Sequence, residues 1–188
     1  MTRIVAGTAG GRRLKVPPRG TRPTSERVRE ALFSSLEARM DLDGAAVLDL
    51  FAGSGALGLE ALSRGAAHAL LVESDAKAAA VIRENIATVR VPGAVLRTAP
   101  VAAVLAAPAD RVYDLVLADP PYAVDEQQIA AILDALLAGG WVREDSVVVL
   151  ERSSRSPETV WPDAFEPGRT RRYGESRIEI ATCYGAGS

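Results

Sequence analysis

From residue 47 onward the chain alternates short apolar runs with helical segments, and this alternation constrains its fold more than any other feature. Strands that are apolar along their length are buried on both faces, as in a parallel sheet covered by helices. The predicted strands are residues 47–51, 69–73, 94–98, 113–118 and 146–151. The predicted helices between them are residues 57–64, 76–89, 101–107 and 126–137.

The segments on either side of this alternating region predict small antiparallel elements. Residues 4–6 and 12–16 predict a hairpin, and Thr24 is the predicted N-cap of a helix with apolar residues at four-residue spacing. Near the C-terminus, residues 169–173 and 178–184 predict a second hairpin. We therefore predict one α/β domain, residues 23–188, preceded by an N-terminal extension, residues 1–22.

The N-terminal extension and the residues just after it are basic, although the whole chain has a net charge of −2. Residues 1–30 carry eight basic and two acidic side chains, which leaves a net charge of −8 for the remainder. A basic segment with several glycines and prolines is typical of a surface that binds a polyanion. The predicted RNA contacts in it are Arg12, Arg13, Arg19 and Arg22.

Composition excludes several classes of protein. With one cysteine, Cys183, the chain forms no internal disulfide, which fits a reducing cytoplasm. The single histidine, His68, and that cysteine are too few for a zinc site, so no metal is expected. No apolar run approaches the ~20 residues that a membrane span needs. Nothing in the sequence requires dimerisation, and a monomer is expected.

A glycine-rich loop follows the first predicted strand and leads into a helix. Gly53, Gly55 and Gly58 form a G-x-G-x-x-G pattern, which lets the backbone approach a ligand closely but also occurs in dinucleotide-binding folds. Asp49 precedes the loop, where a pyrophosphate gains nothing from an anion. Its carboxylate suits a cationic ligand such as the amino group or sulfonium of S-adenosylmethionine, or it caps the turn by accepting backbone N–H groups.

The ends of the next two predicted strands supply further candidate cofactor contacts. Glu73 ends the second strand, where an acid accepts the hydroxyl groups of an adenosine ribose. Asp75 competes for this role but fits better as the N-cap of the following helix. The third strand is followed by Ala99, where an adenine would contact backbone or an apolar surface.

The tetrapeptide Asp119-Pro120-Pro121-Tyr122 follows an apolar strand, where open parallel sheets bind ligands. Two successive prolines remove two backbone donors and hold the chain extended. The carboxylate of Asp119 and the carbonyl of Pro120 are therefore acceptors without local donors, and Tyr122 provides a flat ring beside them. This combination suits a planar group that bears an NH2. Asp119, Pro120 and Tyr122 are the predicted catalytic residues.

These motifs together resemble the bacterial 16S rRNA guanine-N2 methyltransferase D family, and the resemblance covers essentially the whole chain. The segments that carry it are residues 3–7, 11–12, 22–24, 27–33, 49–55, 55–65 and 119–122. The family implies a Rossmann-like class I methyltransferase fold. It would have a mostly parallel seven-stranded sheet, a C-terminal antiparallel hairpin and a small N-terminal hairpin extension.

The resemblance also implies a reaction and a substrate. The family methylates guanine N2 in the small ribosomal subunit, usually at guanine 966 in standard rRNA numbering, with S-adenosylmethionine as methyl donor. The base must be flipped out of its stack to be alkylated. Asp119 and the Pro120 carbonyl would each accept one N2 hydrogen while Tyr122 stacks on the base. The residues expected to contact the cofactor are Asp49, Phe51, Gly53, Gly55, Glu73, Ala99 and Asp119.

Other functions remain compatible with these motifs. The same chemistry serves DNA adenine-N6 and protein-glutamine methyltransferases, although no insertion is large enough for a DNA target-recognition domain. The glycine pattern alone also fits a nicotinamide-dependent oxidoreductase, which binds NAD and not S-adenosylmethionine. A non-catalytic RNA-binding module with a degenerate cofactor pocket would bind RNA tightly without methyl transfer.

Overall fold

The computed structural model of the chain describes residues 1–18 and 25–185. The strands within these residues are β1 (Thr2–Arg3), β2 (Arg13–Leu14), β3 (Ala46–Leu50), β4 (His68–Glu73), β5 (Ala94–Thr98), β6 (Leu115–Ala118), β7 (Val147–Ser153), β8 (Phe165–Pro167), β9 (Arg171–Tyr173) and β10 (Ser176–Cys183). The helices are α1 (Glu26–Arg39), α2 (Ala56–Ser63), α3 (Ala76–Val89), α4 (Val101–Ala106) and α5 (Glu126–Ala138).

The main sheet confirms the predicted architecture. Its strand order is β5-β4-β3-β6-β7-β10-β8, and β9 pairs with the opposite end of β10 as an eighth strand. β3 to β7 run parallel, whereas β10 is antiparallel to β7. The chain places β4 and β5 on one side of β3, then β6 and β7 on the other. The strand order therefore reverses between β3 and β6, the position where such sheets bind ligands.

Apolar residues on the two faces of the sheet form separate cores. One core joins the sheet to α1 and α2 through residues such as Phe33, Leu36 and Leu59, all fully buried. The other joins it to α4 and α5, where Tyr113 stacks on Trp141 with ring centroids 5.8 Å apart. Both faces of the central strands are thus excluded from water, which explains their continuous apolar sequence.

The N-terminal hairpin of β1 and β2 packs on α2 through a buried carboxylate. Glu60 is 0% exposed and accepts hydrogen bonds from the backbone N–H groups of Val5 (2.8 Å) and Ala6 (3.1 Å). It also pairs with Arg29 of α1 at 3.2 Å and with Arg64 at 3.0 Å. One side chain therefore holds together the extension, α1 and α2.

Gly7 allows this close packing of the extension on α2. Its φ is +84°, and a Cβ placed there would lie 1.9 Å from the carbonyl oxygen of Ser63. The N–H of the next residue, Thr8, donates to the same carbonyl at 2.8 Å. Any side chain at position 7 would separate the hairpin from the helix.

Several predicted boundaries differ from the structure for local reasons. The hairpin pairs Thr2 with Leu14 and Arg3 with Arg13, instead of residues 4–6 with 12–16. Thr24, the predicted N-cap of α1, lies outside the described residues, and Ser25 caps the helix by accepting from the Val28 N–H at 3.2 Å. β8 was not predicted because only tertiary pairing with β10 makes this short segment a strand.

The described residues lack two features that would change the class of protein. No helix within residues 1–18 and 25–185 is long and apolar enough to cross a membrane. The same residues contain no group of three or more histidine, cysteine, aspartate or glutamate side chains placed to hold a metal ion.

Candidate active site

The parallel register brings four strand ends together at one edge of the sheet. Leu50 of β3 pairs with Val72 of β4 and with Ala118 of β6, and Ala118 pairs with Leu150 of β7. The next residue of each strand or its exit loop therefore lies at the same edge. In the order of the strands across the sheet, β4, β3, β6 and β7, these residues are Glu73, Phe51, Asp119 and Glu151.

A cavity of about 980 Å³ opens at this edge of the sheet. Its walls include all four of these strand-end residues, the whole Asp119–Tyr122 tetrapeptide and the first turn of α3. Pro17 and Pro18 of the extension line it as well. A volume of this size is within the range of pockets that bind small-molecule cofactors.

The glycine-rich loop turns sharply after β3, and of its residues Phe51 is in the cavity wall, whereas Gly53 and Gly55 are not. Phe51, Gly53 and Gly55 have φ values of +58°, +61° and +81°, and Gly55 is the N-cap of α2. A positive φ is uncommon for a phenylalanine, and such strained residues cluster at functional sites. The Gly55 N–H donates to the Ala52 carbonyl at 2.8 Å, which closes the turn.

Glu73 stabilises the loop and retains acceptor capacity toward the cavity. Its Oε1 accepts from the Gly53 N–H and its Oε2 from the Asp75 N–H, both at 2.9 Å. A carboxylate has about four lone-pair sites, so further sites remain for hydroxyl groups of a ligand. The structure also confirms Asp75 as the N-cap of α3, since its side chain accepts from the Ala78 N–H at 2.9 Å.

Asp49 lies behind the loop, 1% exposed, with Oδ2 accepting from the Gly58 N–H at 2.9 Å. The turn-capping alternative for this residue is therefore present in the structure. Burial first, and then the negative charges of Asp119 and Glu73, raise the pKa of Asp49 well above its ordinary value, while the bond from Gly58 opposes this. Asp49 itself is not part of the cavity wall, although the charges of two wall residues act on it.

Asp49→Asn should therefore increase the free energy of unfolding at pH 7. Because the folded pKa of Asp49 is raised above the unfolded value of about 4, wild-type stability falls as pH rises between the two values. The amide keeps an acceptor for the Gly58 N–H but carries no charge. Urea unfolding at several pH values should show the stabilities of variant and wild type diverging as the pH rises above about 4. Parallel curves across this range would contradict a raised pKa.

The tetrapeptide after β6 presents acceptors and a ring to the cavity. Asp119 is half-buried, Pro120 is buried and Tyr122 is 69% exposed. Within the part of the chain that the structure describes, no group donates a hydrogen bond to the Pro120 carbonyl. The loop is secured beyond the tetrapeptide by Arg152, whose Nη2 donates to the Val124 carbonyl at 3.1 Å and to Glu126 at 2.6 Å.

Ala99 has a different environment from the one expected of an adenine contact. Its backbone N–H donates to the Glu73 carbonyl at 3.1 Å, and its side chain packs against the core beneath α4. The Ala99 N–H is therefore engaged within the fold, Ala99 is not in the cavity wall, and its contact with an adenine stays a prediction.

The predicted RNA-binding arginines divide into two sets. Arg12 donates to the carbonyl of Val89 at the C-terminal end of α3, and Arg13 is exposed in β2. Since α3 has 14 residues, that end lies about 20 Å from its first turn in the cavity wall. Arg19, which follows Pro18 in the sequence, and Arg22 lie outside the described residues.

Sequence reasoning missed the contribution of five residues to the site. Glu151 and Arg152 lie near the end of β7, and the rule that parallel strands bind ligands at their carboxyl ends would have found them. Pro17 and Pro18 carry no sequence signal for a cavity wall. Asn85 of α3 is 1% exposed and donates to the Ser54 carbonyl of the glycine-rich loop at 2.8 Å. An isolated asparagine in a helix predicts a structural hydrogen bond, which the structure confirms, but not the segments that it reaches.

Comparison with known proteins decides the family. A family model described as conserved hypothetical protein 95 matches residues 2–182. The ribosomal RNA small subunit methyltransferase D of Escherichia coli is 39% identical over 150 residues, covering 79% of this chain and 73% of that protein. This chain belongs to the methyltransferase D family. The resemblance predicted from the motifs is thus confirmed.

Comparison with two solved structures identifies the fold of this chain. The solved structure of the Escherichia coli protein yhhF has a TM-score of 0.86 and 31% identity, with 97% of each chain covered. Magnesium protoporphyrin IX methyltransferase from Synechocystis, solved with bound S-adenosylmethionine, shares the fold at a TM-score of 0.65 and 18% identity, covering 84% of this chain and 78% of that one. The fold is the Rossmann-like methyltransferase fold.

Proposed function

We propose that this chain transfers a methyl group to the exocyclic N2 of a guanine in 16S rRNA of the small ribosomal subunit. The observation that carries the proposal is the arrangement of the Asp119 carboxylate, the Pro120 carbonyl and the exposed Tyr122 ring on one wall of the cavity. Two acceptors beside a ring match an amino group on a flat base. Family membership supports rRNA as the substrate, and guanine 966 is the proposed target.

The cofactor is S-adenosylmethionine, and the residues of the cavity fit it. Burial, and to a lesser extent the charges of Asp119 and Glu73, raise the pKa of Asp49, and a cationic ligand beside these carboxylates would favour its charged form. Glu73 would hold the ribose hydroxyls. Phe51 and the backbone of Gly53 and Gly55 would line the remaining part of the cofactor site.

The chain's own residues position the amine for attack. When bound, S-adenosylmethionine would supply an electrophilic methyl group with a neutral thioether as the leaving group. Asp119 and the Pro120 carbonyl accept the two N2 hydrogens and oppose delocalisation of the nitrogen lone pair into the ring. As the new N–C bond forms, the amine becomes acidic, and Asp119 or water takes one proton. Most of the acceleration comes from positioning.

Basic side chains on both sides of the cavity support a polyanionic substrate. We propose residues 1–22 as an RNA-binding extension of a methyltransferase domain formed by residues 23–188. On the opposite side, Arg155 is 85% exposed two residues beyond Ser153 in the cavity wall, and its ion pair with Glu175 is long at 3.9 Å. Arg171 and Arg172 are exposed on the neighbouring β9. The proposed enzyme acts as a cytoplasmic monomer.

A methyl-transfer assay with labelled cofactor tests the proposed function. Purified protein is incubated with S-adenosylmethionine carrying a labelled methyl group and with small subunits that lack the modification, free 16S rRNA or large subunits. Label should enter a guanine of small-subunit rRNA, and digestion should yield N2-methylguanosine. Label in adenine or glutamine would instead identify another amino-methyltransferase. Tight RNA binding without transfer would indicate a binding module, and binding of NAD alone an oxidoreductase.

Tyr122→Ala should raise the KM for the RNA substrate, because stacking on an exposed aromatic ring contributes about 1–3 kcal/mol per base. This corresponds to about 5- to 150-fold, while Tyr122→Phe keeps the ring and should remain within about threefold of wild type. Tyr184→Ala is the matched control, since Tyr184 is 59% exposed just after the end of β10 remote from the cavity. Equal KM values for Tyr122→Ala and wild type in steady-state assays would exclude stacking.

A further inference from the structure

Asn85 makes three hydrogen bonds that join separate parts of the chain. Its Oδ1 accepts from the Lys15 N–H at 2.8 Å, and its Nδ2 donates to the Lys15 carbonyl at 2.9 Å and to the Ser54 carbonyl at 2.8 Å. The side chain is 1% exposed, so these bonds form away from water. Both amide hydrogens and the amide oxygen are therefore engaged, and the extension and the glycine-rich loop share one side chain.

The Ser54 carbonyl that Asn85 bonds lies at the centre of the glycine-rich loop. Ser54 lies between Gly53 and Gly55, and the preceding Gly53 N–H is held by Glu73 at 2.9 Å. Two neighbouring residues of the glycine-rich loop are thus held by side chains from outside it, Gly53 by Glu73 and Ser54 by Asn85. Without the bond from Asn85, the Ser54 carbonyl would be free to turn, because glycines on both sides allow wide changes of φ and ψ.

The extension reaches Asn85 by running along α3 toward the cavity. Arg12 contacts Val89 at the far end of the helix, and the Lys15 ammonium lies 2.7 Å from the Glu84 carboxylate near its middle. Two residues later Pro17 is buried in the cavity wall. Docking of residues 12–18 on α3 therefore determines where Lys15 meets Asn85.

We propose that Asn85 is a positioning residue through which the docked extension holds the glycine-rich loop in its cofactor-binding conformation. Affinity for S-adenosylmethionine then depends on the extension, although the backbone of residues 12–16 lines no part of the cavity wall that the structure describes. Coupling of this kind is reciprocal, so a bound cofactor also tightens docking of the extension. The inference extends the proposed function but does not depend on the identity of the RNA.

Four variants test whether Asn85 couples the extension to the glycine-rich loop or only stabilises the fold. Asn85→Asp retains the acceptor for the Lys15 N–H but loses both donated hydrogen bonds. Lys15→Pro removes that N–H while leaving Asn85 and the loop unchanged, and Lys15→Ala controls for the loss of the exposed ion pair with Glu84. Ser63→Ala is the matched control, since its hydroxyl bonds the extension at Ala6 (2.6 Å) and Ala9 (3.0 Å) but lies at the far end of α2.

Binding of S-adenosylmethionine is measured by calorimetry, and amide hydrogen exchange of residues 51–58 is measured without ligand. Asn85→Asp should weaken binding by about tenfold or more and accelerate exchange in the loop, the loss expected when buried hydrogen bonds are left unmade. Lys15→Pro should act in the same direction by about threefold or more. Lys15→Ala and Ser63→Ala should remain within about twofold, with loop exchange unchanged.

Three results would overturn the proposal. Wild-type affinity in Asn85→Asp would show that the loop does not need the bond. Wild-type affinity in Lys15→Pro would show that Asn85 acts without the extension. Equal weakening by Ser63→Ala would attribute the effect to general loosening of the extension. If Asn85→Asp does not fold, the comparison of Lys15→Pro with Lys15→Ala decides the outcome.

Discussion

Asp119→Ala should reduce the turnover number for methyl transfer by about 10²- to 10⁴-fold, the range expected when a group that positions and deprotonates an amine is removed. Asp119 directly follows β6, between Phe51 and Glu151 of the neighbouring strand ends in the cavity wall, where we propose that it accepts a hydrogen from guanine N2. Asp119→Asn keeps one acceptor but adds a donor, so its loss should be smaller. Single-turnover kinetics with saturating cofactor separate this effect from binding.

The same variant makes a second, independent prediction about the neighbouring acid. The charge of Asp119 contributes to the raised pKa of Asp49, so its removal should bring that pKa closer to the ordinary value.

Asp134→Ala, which removes an exposed carboxylate on α5, is the control for the turnover of Asp119→Ala and should leave turnover unchanged. Turnover of Asp119→Ala within threefold of wild type would refute the assigned role.

Glu60→Ala should lower the free energy of unfolding by about 3–5 kcal/mol, because removing one partner of a buried ion pair leaves the other charge uncompensated. Arg29 is 0% exposed, and its guanidinium also donates to Thr2 Oγ1 at 3.1 Å and to the Arg3 carbonyl. The backbone donors of Val5 and Ala6 would lose their acceptor as well.

Thermal and urea unfolding measure this loss. For a chain of this length the melting temperature should fall by roughly 6–20 °C. Glu37→Ala is the matched control. Glu37 pairs at 3.2 Å with Arg64, which also pairs with Glu60, but the Glu37 side chain is 47% exposed. That change should cost about 1 kcal/mol or less. A Glu60→Ala variant as stable as Glu37→Ala would show that the buried network does not hold the extension.

Local patterns were sufficient to predict most elements and the centre of the site. α3 and β5 have the predicted limits, and β3, β4, β6 and β7 differ by a few residues at most. Glu73 and Asp119 were found because parallel strands end at a common edge, so two strand-end acids in the sequence become neighbours in space. The Asp75 cap was found because its hydrogen bond lies within one helical turn.

The contacts that sequence reasoning missed join residues far apart in the chain. Asn85 reaches Ser54 across 31 positions and Lys15 across 70, and Glu60 reaches Val5 across 55. Each depends on one polar side chain that meets backbone groups of another segment. Such a pair leaves no periodic signal, because a single asparagine or glutamate on a helix has the same sequence pattern when it faces water.

The sequence by itself determined the α/β class, the glycine-rich loop, the acceptor tetrapeptide and the family, because these depend on periodicity and on motifs of adjacent residues. Only the tertiary structure decided how the N-terminal extension is used. Its residues 1–18 pack on α2 and α3, bring Pro17 and Pro18 into the cavity wall and bond through Asn85 to the cofactor loop. The physical reason is that buried polar groups must be paired, and which partner is within reach depends on the packed fold.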